Sequence, residues 1–96
     1  MKPSEFKESL QGEAPPEECA VPLAALWWDA RGDWEKAHKL VDDLSTMDGM
    51  AVHAYLHRKE GVEWNSEFWY RRSDYKFRRA TLEEEWQALV DHFLSA

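Results

Sequence analysis

At 96 residues the chain has room for one hydrophobic core, and a domain this small buries only roughly 60–65% of the surface its unfolded form exposes. With 44% hydrophobic residues, 14% aromatic ones and six tryptophans, the composition excludes a disordered chain. A net charge of −7 argues against general nucleic-acid binding, and the single Cys19 excludes an internal disulfide and any cysteine-based zinc site.

The charge is unevenly spread. Residues 1–48 carry five Lys/Arg against eleven Asp/Glu, residues 49–80 seven against four, and residues 81–96 none against four. The first residues lack the apolar core of a signal peptide and no stretch approaches a membrane span, so a cytoplasmic protein is expected.

Residues 1–19 contain Gly12, Pro15, Pro16 and five glutamates, which predicts at most a helical turn about Phe6 and Leu10 and then an acidic, poorly ordered segment. A single domain then occupies 20–96. Pro22 suits the first turn of a helix, and Leu23, Leu26, Trp27 and Ala30 follow at helical spacing. Gly32 is its stop, and Asp33 caps a second helix from Trp34 to about Leu44. The break at Ser45 to Gly49 offers Asp48 as the cap of a third helix, Met50 to Glu60, which Gly61 ends. The next helix starts near Glu63 with aromatic residues on two sides. Asp74 to Ala80 reads as a basic-aromatic connection. Thr81-Leu82-Glu83-Glu84 is a capping box, and Leu82, Trp86, Leu89, Val90, Phe93 and Leu94 then mark an amphipathic helix.

Gly61 lies 29 residues after Gly32, and the surroundings correspond: Ala25 with Ala54, Trp28 with His57, Ala37 with Ser66, Val41 with Tyr70. Gly32-Asp33-Trp34-Glu35-Lys36-Ala37 resembles the corner of a tetratricopeptide-repeat helical hairpin. Gly61-Val62-Glu63-Trp64-Asn65-Ser66 resembles it more loosely, and the spacing is shorter than the usual period of about 34. The chain is also similar to small bacterial proteins that combine a Gly-Asp-Trp corner with His-Ala-Tyr-Leu-His-Arg and Trp-Tyr-Arg-Arg runs, a likeness that brings no activity with it. The resemblance implies an all-α domain of two antiparallel hairpins, with the last helix as a capping helix.

That resemblance implies a non-enzymatic module binding a protein or peptide in a concave groove lined by Leu26, Asp29, Ala51, Tyr55, Arg58 and Lys59, with Tyr55, Arg58 and Lys59 facing outward. No cofactor, membrane contact or nucleic-acid partner is expected. Homodimerisation would lengthen the short groove. Two other chemistries compete. His53, His57 and Glu60 fall within about 60° on a helical wheel and can offer two imidazoles and a carboxylate to one divalent metal, as the site of a metal-dependent or an acid–base enzyme. The repeat register instead predicts both histidines buried and hydrogen-bonded to a neighbouring helix. Arg71, Arg72, Arg78 and Arg79, beside Trp69 and Tyr70, can form a patch that binds anions or single-stranded nucleic acid, or can offset the acidic elements around them. An exposed aromatic among Trp27, Trp28 and Trp64 would point to a protein interface. Cys19, beside Glu17 and Glu18, is expected to have a raised thiol pKa and no nucleophilic role.

Overall fold

The computed structural model describes residues 1–73 and 81–95, and these hold six helices and no strand. They are α1 (Pro3–Ser9), α2 (Val21–Ala30), α3 (Trp34–Val41), α4 (Met47–Glu60), α5 (Glu63–Ser73) and α6 (Leu82–Ser95). None is long and apolar enough to cross a membrane.

The two expected corners form for the same local reason. Gly32 and Gly61 adopt φ of 87° and 91°, a left-handed conformation that a side chain disfavours. Each corner closes with a six-to-one backbone bond, Asp33 N–H to Trp28 O at 2.9 Å and Val62 N–H to His57 O at 3.0 Å. This is the Schellman pattern that satisfies the last carbonyls of a helix. The corners hold α2 against α3 and α4 against α5. Ala25, Ala37, Ala54 and Ser66 are fully buried, as close approach of paired helices requires.

Caps follow local chemistry. The Asp33 carboxylate accepts from Lys36 N–H at 3.1 Å, and Thr81 and Glu84 close the capping box, with Glu84 N–H to Thr81 Oγ1 at 3.0 Å. Elsewhere the boundaries shift: α3 ends at Val41, and α4 starts one turn early at Met47 because Thr46, not Asp48, caps it by accepting from Gly49 N–H at 3.1 Å. Both residue types suit the position.

Two tertiary expectations fail. The segment 1–19 is not simply an acidic tail, because α1 docks Phe6 into the core with its ring 6.0 Å from that of Trp86. Trp27 Nε1–H donates to Ser9 Oγ at 3.1 Å, and Arg31 ties down the carbonyls of Leu10 and Gly12. Nor does α6 merely end a stack. It lies against α1, α2 and α4, where Trp86, Leu89 and Val90 join Leu26, Tyr55 and Leu56 in one core, and Trp86 Nε1–H donates to Leu26 O at 3.0 Å. The apolar face of α2 and α4 costs too much to leave in water when an amphipathic helix of the same chain can cover it.

Candidate metal centre

Helix α4 is the hub, with every residue from Gly49 to His57 buried. Its i, i+4 pair His53 and His57 are only 4% and 8% exposed. The interior placement expected of these histidines holds, and the neighbouring helix they meet is α3, which contributes a third histidine. His38 Nε2 lies 3.1 Å from His53 Nε2, and one nitrogen from each of His38, His53 and His57 falls within 4.8 Å of the others.

Tryptophans hold the rings in place. Trp34 stacks on His38, one helical turn on, at 4.9 Å and 7°, and donates Nε1–H to Leu56 O at 2.8 Å, which pins it to α4. Trp69 of α5 stacks on His53 at 4.2 Å and 19°. His57 Nδ1 lies 3.0 Å from Glu60 Oε1, leaving Nε2 as the nitrogen for any other partner. Glu60, expected as a ligand, thus acts behind His57 and orients it, as carboxylates behind metal-bound histidines do.

The cluster is short of protons and partners. In the His38–His53 contact one nitrogen must donate. If His53 Nε2 donates, its Nδ1 is a bare acceptor; if it accepts, Nδ1 carries the proton. Either way Nδ1 is buried with no hydrogen-bond partner among the described residues, a condition that costs about 1–3 kcal/mol. Burial, and then the charges of His57 and His38, push the His53 pKa down to about 4. Burial and then His57 also lower that of His38. Both imidazoles are therefore neutral at pH 7, the form that ligates a metal. The 3.1 Å contact is close to the roughly 3.3 Å edge of a tetrahedral site with Zn–N of about 2.0–2.1 Å. The widest separation, at most 4.8 Å, closes to that edge by a movement of up to about 1.5 Å.

The opposite face of α4 is saturated. Tyr55, expected on the outside, is 2% exposed and donates its hydroxyl to Asp29 Oδ2 at 2.9 Å. Burial, then Asp29, raises its pKa. Asp29 is itself 2% exposed, and its Oδ1 takes Lys59 Nζ at 2.9 Å. Arg58 pairs with the fully buried Glu85, which also accepts from the Tyr70 hydroxyl. Leu26 and Ala51 are buried in the core. Of the six groove residues only Lys59 is exposed. The expected open groove is filled by α6, and what remains is a cleft of about 480 Å³, in which Asp29, Tyr55 and Lys59 meet Lys7 of α1 and Trp86 of α6.

Arg71 and Arg72 are exposed on α5, and the Arg72 guanidinium lies 5.5 Å from the Phe68 ring and 5.7 Å from that of Trp69. Arg78 and Arg79 fall outside the described residues. Trp27 is fully buried and Trp28 half-buried, whereas Trp64 is 76% exposed. Burial and then Glu18 raise the Cys19 pKa, as expected of an unreactive thiol.

The histidine that sequence reasoning missed, His38, had one available signal, its i+4 spacing from Trp34 on a helix that must pack beside α4. No protein-family model, curated protein or solved structure matches the chain. The chemistry of the site therefore rests on its own geometry.

Proposed function

We propose that the chain is a small helical metal-binding domain that holds one first-row divalent ion with His38, His53 and His57, without catalysing a reaction. The observation that carries this reading is the convergence of three imidazole nitrogens within 4.8 Å, two of them on buried side chains. Imidazole donors suit zinc, copper and nickel. In a thermal-shift titration of metal-free protein with zinc or nickel, an ion at 100 times its Kd adds about 2.7 kcal/mol, a rise in Tm on the order of 10 °C for this size. No rise, with no metal retained after dialysis, would remove the reading.

A second reading keeps the peptide-binding module suggested by the tetratricopeptide-like corners. The cleft between α1, α2, α4 and α6 supports it, since its lining combines the apolar Leu10 and Trp86 with the ammonium of Lys7, a set that suits an apolar peptide end with its carboxylate. Isothermal titration with short peptides, free or amidated at the C-terminus, tests it; equal or absent binding of the two forms removes it.

A further inference from the structure

We propose, independently of the metal-binding reading, that the outer face of α5 pairs with α5 of a second copy of this chain, antiparallel about a two-fold axis at Phe68. Trp64, Phe68, Arg71 and Arg72 fall within an arc of about 100° on the helix, on the side away from the fully buried Ser66 and Ser73. Trp64 and Phe68 are 76% and 49% exposed. Both arginines are exposed too, and neither forms an ion pair among the described residues. Adjoining exposed aromatic side chains mark an interaction surface, and Trp and Arg are the residues that anchor protein interfaces.

The order of residues along the stripe selects the occupant. Phe68 lies midway between Trp64 and Arg72, so an antiparallel pairing through Phe68 sets it on the partner's Phe68 and sets Trp64 on Arg72 of the partner subunit, once at each end. There the negative face of an indole meets a guanidinium. Within one chain Arg72 Cζ lies 5.5 Å from the Phe68 ring centroid and 5.7 Å from that of Trp69. Those two rings are themselves only 5.2 Å apart, so both lie to one side of the guanidinium, and its other side faces the incoming indole. A parallel pairing would set Arg72 against the partner's Arg72. The antiparallel one separates them along the axis by about 12 Å, more than the roughly 8 Å over which exposed charges interact at physiological salt. A two-fold contact also closes on itself, giving a dimer and not a filament. Two aromatic side chains per copy make a contact at or below the low end of the roughly 1,200–2,000 Å² that a stable interface buries, so the dimer is reversible.

Sedimentation equilibrium at physiological salt reads the dimer directly, with EDTA present so that no shared metal ion links two copies. Circular dichroism checks that each variant keeps its helix content. Wild type should pass reversibly from monomer to dimer as its concentration rises to about 1 mM. Trp64→Arg should raise the dimer Kd at least tenfold. Adding Arg72→Trp to that variant should recover most of the loss, because the swap restores the same pair across the axis. Wild type that stays monomeric at about 1 mM overturns the proposal and leaves the stripe to a different partner. A Kd unchanged by Trp64→Arg also overturns it, since the dimer would then lie on another surface, and so does a swap that recovers nothing. None of these results bears on whether the three histidines bind a metal.

Discussion

The two faces of α4 carry comparable amounts of polar chemistry and treat it in opposite ways. Toward α2 and α6, Tyr55, Arg58 and Lys59 are matched against Asp29 and Glu85, so buried charge is met by opposite charge and buried hydroxyls by carboxylates. Toward α3, three imidazoles face each other, and a buried nitrogen of His53 has no hydrogen-bond partner among the described residues. A saturated network explains itself as structure. An unsaturated one costs stability, and such costs gather where function requires them.

Breaking the saturated face has the largest expected effect. Glu85 is fully buried between Arg58 and Tyr70, and Glu85→Ala leaves the Arg58 guanidinium without that partner. Urea denaturation should show a loss of about 3–5 kcal/mol. A loss below 1 kcal/mol would mean that this face is no more structural than the other.

Acid should break the histidine face next. The folded-state pKa of His53 is depressed to about 4 from about 6.5 in the unfolded chain, so the unfolded state binds protons more tightly. Its contribution is complete above pH 6.5 and is lost as pH falls toward 4, by about 3 kcal/mol at the lower end. His38 shifts in the same direction. Carboxylates elsewhere titrate in this window too, so the measurement is the difference in unfolding free energy between wild type and His53→Phe from pH 7 to pH 4. Parallel curves would show that His53 is not held neutral.

What the sequence made legible divides along the same line. The Gly32 and Gly61 corners, the Asp33 cap and the Thr81–Glu84 box are set by residues within one turn of each other, and spacing alone reveals them. So is the burial of His53 and His57, because the repeat register carries Trp28 onto His57. His38 was legible only as the residue one turn on from Trp34, since its meeting with α4 depends on how α3 rotates about its own axis. The groove reading failed for a related reason. The stripe Leu82, Trp86, Leu89, Val90 announces an amphipathic helix without naming the surface it covers, and the polar atoms of Tyr55 look like surface chemistry until the buried Asp29 is placed opposite them.

The smallest stability effect makes the sharpest test of the comparison. His53→Phe keeps a flat ring for Trp69 to stack on, removes the unpartnered Nδ1 and removes the contact with His38. If the cluster were structural, losing it should destabilise the protein by more than 1 kcal/mol, as deletion of a buried hydrogen bond usually does. If it is kept for a ligand, the metal-free variant at pH 7 should match wild type to within about 1 kcal/mol, because removing the unpartnered Nδ1 offsets the lost contact with His38, whose half-buried ring can turn to water instead. The same variant should lose the metal-induced rise in Tm. Stability preserved together with metal response lost is the combination that a purely structural histidine cluster does not produce, and thermal scans with and without zinc on one pair of proteins read both halves of it.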